Sequence, residues 1–518
     1  FTNYVSENGQ VKSWLHEHDT RYNCYNESEE IAGGVPVNRP NIFVKEMNQY
    51  EIKTQAGTLH YNMKWLDNDK GLQKKRAFLK SIWLQTCAFL YKEERIRPEE
   101  LRWSYPGSMM EADSAELEKI FEELCRMTPI TGGRQPQLGR ELTTEAEAVC
   151  SFALSRDFGL NKDNMFLGID VGGSTSDILL LAKDQNNGNK SSLYRESSVR
   201  IAAGVFFNAV IKSESFRQAL VSFHEGRKTK VFVANIKEVL TQPSKAPYYL
   251  NSIFDQLKSE NDYEEFYSSI NNNARFVFTI PAYVTGLLLF YSGMLIGKTI
   301  KTEKMDHIRR VDVLSFGKGG RLFHWLRSSA TQRVTNEYYE NCLNAGVNLV
   351  TEKNLEVKYR DEIEINNKAE VAMGLVDAKE LIKKQQEVDS DICGETGVKY
   401  IMDDGTPKEL QTEDELTGEY FANEMNKFDF SGVTNFEKFM EIFIDFVSQK
   451  TRLYPQADNL REELADLPNR ITSYICNNDD EYRKARRTQG DDFTYHQPII
   501  IAEGACFLDT LIKKAFNQ

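Results

Sequence analysis

The stretch from Phe166 to Ala182, FLGIDVGGSTSDILLLA, joins two apolar runs through a short polar turn. The first run ends in Asp170, and the second follows Asp177. Apolar runs of this length that flank a turn are typical of a buried β-hairpin. The residues alone leave two interpretations open, a phosphate-binding hairpin and an ordinary polar turn.

The residues of this turn are suited to binding an anion. Gly172 and Gly173 tolerate positive φ and allow a phosphate to approach the backbone closely. The N–H groups that follow, including that of Ser174, could form an anion-binding concavity. Thr175 adds a hydroxyl donor. Asp170, at the end of a buried strand, could hold a hydrated Mg²⁺, which prefers a few carboxylates together with water and phosphate.

Length and composition indicate a globular protein of two to four domains. The chain has 518 residues, of which 41% are hydrophobic and 27% are charged, so disorder is not expected. The net charge of −13 argues against a nucleic-acid partner, because phosphate binding needs locally dominant Lys and Arg. The strongest basic run, residues 483–487, directly follows acidic residues.

The chain is expected to be cytoplasmic and to have no membrane span. Its eight cysteines form no Cys-x-x-Cys pair, which is typical of core residues in a reducing compartment. The longest apolar run, around Val284 to Gly297, is shorter than the roughly 20 residues that cross a bilayer. No secretory signal opens the sequence, and a start at Phe1 suggests a piece of a longer protein.

Hydrophobic periodicity predicts alternating strands and helices through the middle of the chain. The hairpin should continue through the turn QNNGNK into a third strand. Two more strands are predicted at FVFTI (276–280) and VDVLSF (311–316). Helices are predicted around 142–158, 284–298 and 368–381, and beyond residue 385 the acidic text and an amphipathic segment predict a mainly helical region.

Five segments around the hairpin resemble motifs of the actin, Hsp70 and sugar-kinase superfamily, whose second phosphate motif the hairpin itself resembles. They are, in order, WSYPG (103–107), EAEA (145–148), RIAAG (200–204), VLSFGKGGRL (313–322) and EVAMGL (370–375). The second is similar to a Glu-Pro-x-Ala-Ala helix, the fourth to the adenosine motif and the last to the closing helix. The chain is therefore identified as similar to Hsp70-like or actin-like proteins.

This resemblance implies an α/β, two-lobed actin/Hsp70-like ATPase fold with ribonuclease-H-like lobes. Residues 1–164 would form the first lobe, possibly truncated, and residues 165–310 the second lobe with a helical insertion. Residues 311–385 would carry the adenosine motif and return to the first lobe. Residues 386–518 would form a mainly helical C-terminal appendage.

The resemblance also assigns roles around the phosphates. Asp170 would contact the Mg²⁺ shell and the attacking water, while Thr175 and the two glycines would hold the phosphates of ATP or ADP. Glu145 matches the water-positioning carboxylate, or else it only complements the helix dipole. Asp177 matches a family Asp, although a turn-capping role is as well supported by the sequence.

Further residues would contact the rest of the nucleotide. Gly204 lies in the glycine-bearing segment after the third strand. Gly317, Gly319 and Gly320 would let adenine and ribose approach, and Arg321 could stack on the base. Lys318 departs from the family, which usually has glycine at that position.

The implied reaction is phosphoryl transfer to water, with lobe closure acting on a protein partner in a chaperone-like way. Two alternatives stay open: a nucleotide-gated scaffold or filament subunit without significant turnover, and a small-molecule kinase or polyphosphate hydrolase. The opening stretch FTNYVSENGQVKSWL looks like the second strand and turn of the first-lobe hairpin, without its Asp-x-Gly-Thr motif. SGMLIGKT (292–299) resembles a P-loop, but it lies at the end of a predicted helix instead of following a strand.

Overall fold

The computed structural model describes most of the chain between residues 97 and 516, together with shorter pieces nearer the start. The described residues are 3–5, 11–13, 71–73, 75–76, 78–80, 83, 87, 90, 97–106, 109, 111–127, 135–139, 143–155, 160–173, 175–184, 190–242, 246–259, 262–327, 331–360, 369–376, 382–383, 391–402, 404–415, 428–478 and 497–516. They form two compact units. The first comprises 1–105, 109–143 and 221–266, and the second comprises 106–108, 144–220 and 267–518.

The fold is mixed α/β. The strands are β1 Asn3–Val5, β2 Val11–Ser13, β3 Glu100–Leu101, β4 Ser104–Tyr105, β5 Gln137–Leu138, β6 Thr143–Thr144, β7 Asn164–Val171, β8 Ser176–Asp184, β9 Lys190–Val199, β10 Arg310–Phe316, β11 Glu356–Tyr359, β12 Ile382–Lys383, β13 Val398–Ile401, β14 Pro407–Leu410 and β15 Phe428–Asp429.

The helices are α1 Glu111–Met127, α2 Glu145–Ser155, α3 Ala203–Val210, α4 Glu214–His224, α5 Lys230–Leu240, α6 Ala246–Ser259, α7 Tyr263–Asn273, α8 Thr279–Thr302, α9 Arg321–Leu326, α10 Gln332–Asn348, α11 Ala369–Val376, α12 Asn435–Ile444, α13 Leu460–Leu464, α14 Leu467–Asn478 and α15 Ile499–Phe516. Short 3₁₀ turns cover Arg275–Phe278, Lys318–Gly320 and Ala457–Asn459, and a π-helical turn covers Asp445–Lys450.

A six-stranded sheet in the order β11-β10-β7-β8-β9-β12 forms the centre of the second unit. Strands β7, β8 and β9 are an antiparallel meander. Strand β10 runs parallel to both β7 and β11. The predicted meander and the predicted VDVLSF strand are therefore confirmed.

Helices α2 and α11 lie on one face of this sheet. An apolar cluster joins α2 to the strands, with Val149 and Cys150 packed together with Phe166 and Leu179. The two helices cross closely, because a Cβ atom on Gly374 of α11 would overlap the carbonyl oxygen of Ala148 on α2. The small residues of the two predicted motif helices thus meet each other.

The opposite face carries α8, which is buried along most of its length. Its crossing with α10 depends on glycine: a Cβ atom on Gly293 would overlap the Leu343 carbonyl oxygen, and one on Gly346 would overlap the Phe290 carbonyl oxygen. FVFTI, predicted as a strand, is instead a 3₁₀ turn that runs into α8. A helix that is apolar all round lacks the amphipathic period that would have distinguished it from a strand.

The expectation that no apolar segment reaches membrane-spanning length was wrong. By length and composition, the helical segment Arg275–Thr302 could cross a bilayer, and its most apolar window is fully buried in the structure. A buried core helix of a soluble protein has the same properties, so the segment is weak evidence for a span.

The residues beyond 386 belong to the same compact unit as the large sheet. Besides helices they contain a three-stranded sheet in the order β14-β13-β15. The buried Glu395 carboxylate accepts hydrogen bonds from the N–H groups of Asn435 and Phe436, at 2.6 and 2.9 Å, and so caps α12. Helices α12 and α15 both pack against α8.

The first unit is described only in part. Strand β3 pairs in parallel with β5, and β1 pairs in antiparallel with β2. In α1, Ile120 and Leu124 pack on Trp83. A separate aromatic cluster holds Phe223, Phe254 and Phe266 in edge-to-face contacts with ring centroids 5.1 to 5.4 Å apart.

Candidate functional site

The hairpin turn between β7 and β8 is closed by its own backbone. The Gly172 N–H donates to the Thr175 carbonyl oxygen at 2.9 Å. A Cβ atom on Gly172 would lie 2.8 Å from that oxygen, whereas one on Gly173 would meet nothing within 4 Å. Neither glycine is among those with positive φ. Gly172 is therefore needed for close approach inside the turn, while Gly173 leaves an exposed, open position beside it.

The start of α3 is fastened directly to this turn. The N–H groups of Ala203 and Gly204 donate to the carbonyl oxygens of Gly172 and Gly173 at 3.1 and 2.9 Å. A Cβ atom on Gly204 would overlap the Gly173 carbonyl oxygen. The predicted glycine at position 204 thus serves the contact between α3 and the turn.

The adenosine-like turn after β10 packs against the same hairpin. Gly317 has φ of 69°, and a Cβ atom there would overlap a carboxylate oxygen of Asp170. A Cβ atom on Gly319 would lie 2.5 Å from the Val171 carbonyl oxygen. These glycines were predicted to admit a nucleotide, but in the structure the space they leave is filled by the hairpin.

Two other predicted residues complete this turn. The Gly320 N–H donates to the Gly317 carbonyl oxygen at 3.2 Å. Arg321 begins α9 and is half-buried. Ser174, predicted to line the phosphate site, lies outside the described residues, and Thr175 is buried, with 6% of its surface exposed.

Asp170 and Asp177 lie side by side on one face of the sheet. They are register partners across β7 and β8, and directly opposed residues of an antiparallel pair point to the same face. Asp177 is buried and accepts a hydrogen bond from the Ser198 hydroxyl at 2.5 Å. Asp170 is only half-buried, and it lies opposite Phe316 of β10.

Helix α2 covers this same face and begins in a capping box. The Glu147 N–H donates to the Thr144 hydroxyl at 3.1 Å, and the Thr144 N–H donates to the Glu147 carboxylate at 2.8 Å. The Thr144 hydroxyl also donates to Glu196 of β9 at 2.5 Å. Glu145, the predicted water-positioning residue, is half-buried as the first residue of this fixed helix end.

The acids of this region suit a metal held chiefly by phosphate and water. Within the described residues, no group of three or more His, Cys, Asp or Glu side chains is placed to hold a metal ion. Mg²⁺ bound with a nucleotide needs only one or two protein carboxylates. Asp170, half-buried beside the exposed Gly173, fits that requirement.

The described cysteine side chains are unsuited to nucleophilic catalysis. Burial raises the pKa of the Cys87 thiol to about 12 and that of Cys506 to about 11. Burial, with the nearby Glu196 and Glu147 carboxylates, raises the pKa of Cys150 well above its usual value. These groups stay protonated thiols at neutral pH.

The P-loop-like SGMLIGKT is part of the interior of α8. Lys298 is 8% exposed, and its ammonium donates to the Glu415 carboxylate at 2.5 Å. The Thr299 hydroxyl donates to the Leu295 carbonyl oxygen within the helix at 2.8 Å. The residues that would hold phosphate in a P-loop are thus occupied in helix packing.

An Asp-x-Gly-Thr tetrad does occur elsewhere, at residues 403–406. Its described residues form the turn between β13 and β14, where Gly405 has φ of 81°. The Thr406 N–H and hydroxyl donate to the Asp404 carboxylate at 2.8 and 2.5 Å, and these bonds lower the pKa of Asp404. The described part of the tetrad, Asp404 to Thr406, is therefore an internally bonded turn.

Three of the predicted segments lie together, and their described residues are 170–173 with 175, 200–204 and 317–320. The motifs did not indicate the half-buried Thr144 or the buried partners Glu147, Glu196 and Ser198. Thr144-x-x-Glu147 is a capping-box pattern that could have been recognised. Glu196 and Ser198 had no local signal, because their partners follow from strand register.

No protein-family model matches the chain, and no curated protein matches it either. These comparisons therefore add nothing to the resemblance to the actin, Hsp70 and sugar-kinase superfamily.

Proposed function

We propose that this chain is an ATP-binding and ATP-hydrolysing protein of the actin, Hsp70 and sugar-kinase superfamily. It would be cytoplasmic, bind ATP or ADP with Mg²⁺, and pass its nucleotide state to a protein partner. Its fold would be the two-lobed fold of that superfamily.

One observation carries this proposal: the Asp170 carboxylate meets the Gly317 turn at the carboxyl ends of adjacent parallel strands. After β7 the sheet continues on one side through β8 and β9, and after β10 it continues on the other side through β11. Ligands of α/β sheets bind outside the carboxyl ends of strands at such a reversal of strand order. Both predicted nucleotide motifs lie at this point.

The sheet order gives further support. In the order β11-β10-β7-β8-β9-β12, an antiparallel meander lies next to two parallel strands, which is compatible with the ribonuclease-H-like lobe that the resemblance implies. The close crossing of α2 and α11 brings together the two helices that carry the EAEA and EVAMGL segments of the resemblance. Neither feature depends on the glycines of the hairpin.

The roles of the residues follow from their positions. The exposed Gly173 would offer its backbone N–H to phosphate oxygens, and Asp170 would hold the water shell of Mg²⁺. Bound Mg²⁺ neutralises charge on the phosphates. Glu145, on a helix end fixed by Thr144 and Glu147, would orient the attacking water, a task that requires positioning more than basicity.

A phosphate-release assay on the full chain with Mg-ATP tests the proposal. Glu145→Ala should lower turnover by about 10² to 10³-fold with little change in ATP affinity, because a water-positioning group acts mainly in the transition state. Glu214→Ala is the matched control, since Glu214 is the exposed first residue of α4. It should leave turnover unchanged.

Two results would count against this function. If wild type binds ATP but all three proteins release phosphate at the same background rate, the nucleotide-gated scaffold becomes the better interpretation. If wild type does not bind ATP in equilibrium titration, the nucleotide proposal itself is wrong.

A further inference from the structure

The end of β9 is completed by a side chain from the far end of the sequence. The Arg200 N–H donates to the side-chain oxygen of Gln497 at 2.8 Å, and the Gln497 amide donates to the Ser198 carbonyl oxygen at 3.4 Å. Gln497 is 2% exposed and lies two residues before the first residue of α15. Its carboxamide thus bonds the backbone on either side of Val199, as a residue of a neighbouring strand would.

The chain that leaves β9 runs straight to the hairpin turn. The Ser176 hydroxyl donates to the Ile201 carbonyl oxygen at 2.6 Å. Ala203 and Gly204 then hold the carbonyl oxygens of the turn. Because six consecutive peptide units join Ser198 to Gly204, a shift at the strand end moves the groups that fix the turn.

The same segment is also tied to a predicted site residue. The Ser198 hydroxyl donates to Asp177, whose register partner is Asp170. Gln497 therefore contacts the one residue, Ser198, whose backbone leads to the turn and whose side chain bonds Asp177. Truncating the Gln497 side chain would leave the buried Ser198 carbonyl oxygen and the part-buried Arg200 N–H without these bonds, which is costly.

We propose that Gln497 is a positioning residue for the hairpin turn, acting through the backbone of residues 198–204. It gives the segment before α15 a role in shaping the candidate site. Only its consequence for nucleotide binding rests on the proposed function.

Amide hydrogen exchange without nucleotide tests the positioning directly. Gln497→Met keeps the side-chain volume and removes both hydrogen bonds. We expect exchange at Arg200, Ala203 and Gly204 to accelerate by about tenfold, the effect of losing roughly 1.4 kcal/mol of local stability. Gln456→Met is the control, because Gln456 is exposed in the same unit.

Gln497→Glu is a conservative variant of nearly the same size. If Gln497 only filled space, this variant would behave like wild type at every pH. As a neutral acid its O–H can donate to the Ser198 carbonyl oxygen and its C=O can accept from Arg200. As a carboxylate it loses the donor. Burial raises the pKa of such a group. The ratio of the exchange rate in Gln497→Glu to that in wild type should therefore approach one at low pH and increase as pH rises. The same ratio for Gln456→Glu should not change with pH.

ATP affinity provides the last measurement. If wild type binds ATP, Gln497→Met should weaken ATP binding by about tenfold. The control Gln456→Met should leave both the ATP affinity and the melting temperature unchanged. The proposal is overturned if exchange changes only at Arg200, since the turn would then be independent of Gln497. If exchange at 203 and 204 changes while ATP affinity does not, the positioning role is supported and its consequence for nucleotide binding is wrong. If wild type binds no ATP, the proposed function fails, and exchange at 203 and 204 alone decides the positioning role.

Discussion

The hairpin turn after β7 and the middle of α8 contain the same types of residue in opposite situations. Both have two glycines with a nearby hydroxyl and charged side chain, and both resemble phosphate motifs. In the hairpin, the Gly173 position is exposed and open. In α8, Gly293 is in contact with the backbone of α10, and Lys298 is paired with Glu415. Glycine therefore indicates close approach, and the backbone around it decides whether a ligand or a helix approaches.

The largest expected effect is at Gly293, where α8 and α10 are closely packed. Gly293→Ala places a Cβ atom on the Leu343 carbonyl oxygen, with the Val347 nitrogen 2.9 Å away, and both atoms are backbone. Separating two packed helices should cost about 3 kcal/mol of unfolding free energy. Gly173→Ala, the same change in open space, should alter stability by less than about 0.5 kcal/mol. Chemical denaturation of both variants measures this difference, and equal losses would contradict the contrast.

A second test compares two buried acids, Asp177 beside the hairpin turn and Glu503 in α15, the helix that packs against α8. Asp177 accepts a hydroxyl hydrogen bond, whereas both carboxyl oxygens of the fully buried Glu503 lack a donor among the described residues. Burial, and then the negative charge of Glu395, raise the pKa of Glu503 well above its usual value. The other ionisable groups around Glu503 add no positive charge, and they are Glu437, Cys506, Cys393 and Tyr283.

The sign of the pH dependence follows from this raised pKa. Above the usual pKa of a glutamate, the unfolded chain has lost the proton that folded Glu503 retains, so stability falls as pH rises until the folded pKa is passed. The slope from this group is about 1.4 kcal/mol per pH unit. Glu503→Gln, which can donate to Glu395 at every pH, should remove that slope.

Unfolding measured from pH 5 to 8 checks this prediction. The exposed Glu462→Gln should keep the wild-type slope. Identical slopes in wild type and Glu503→Gln would show that Glu503 is ionised in the folded protein.

The smallest expected effect is at the contact between the hairpin turn and α3, where Gly204 and Gly173 can be compared directly. Gly204→Ala pushes α3 away from the Gly173 carbonyl oxygen, which it would overlap. Because α3 begins at this contact and can shift at its end, we expect a loss of about 1 to 2 kcal/mol, together with weaker ATP binding. Gly173→Ala is again the control on the other side of the same hydrogen bond. A Gly204→Ala protein with wild-type stability and ATP affinity would show that this contact does not shape the site.

Much of the sheet could be predicted from sequence because its signals are local. Two apolar runs on either side of a turn located β7 and β8, the turn QNNGNK located β9, and a buried apolar run followed by glycines located β10. The 3₁₀ turn at Arg275–Phe278 was missed, since a short apolar run has no period of its own. The sheet of β13 to β15 was not predicted, because it lies in an acidic segment and its strands are short and half-exposed.

The candidate site was predictable to a similar degree. Motif order indicated Asp170, Gly204 and Gly317, which the structure brings together at one edge of the sheet. It assigned the glycines to a ligand, although most of the space they leave is filled by protein backbone or side chains. Gln497 had no signal at all, because its partners Arg200 and Ser198 lie 297 and 299 residues away in the chain.

Periodicity and turn chemistry act over a few residues, so they were enough to predict strands β7 to β10 and helices α2, α8 and α11 in the centre of the chain. Which glycines are exposed and which are crowded became clear only in the folded chain. Only the tertiary structure decided that Glu503 faces Glu395, and that a glutamine next to the last helix completes β9. These outcomes depend on which surfaces meet, and burial and hydrogen bonding between distant segments leave no local mark in the sequence.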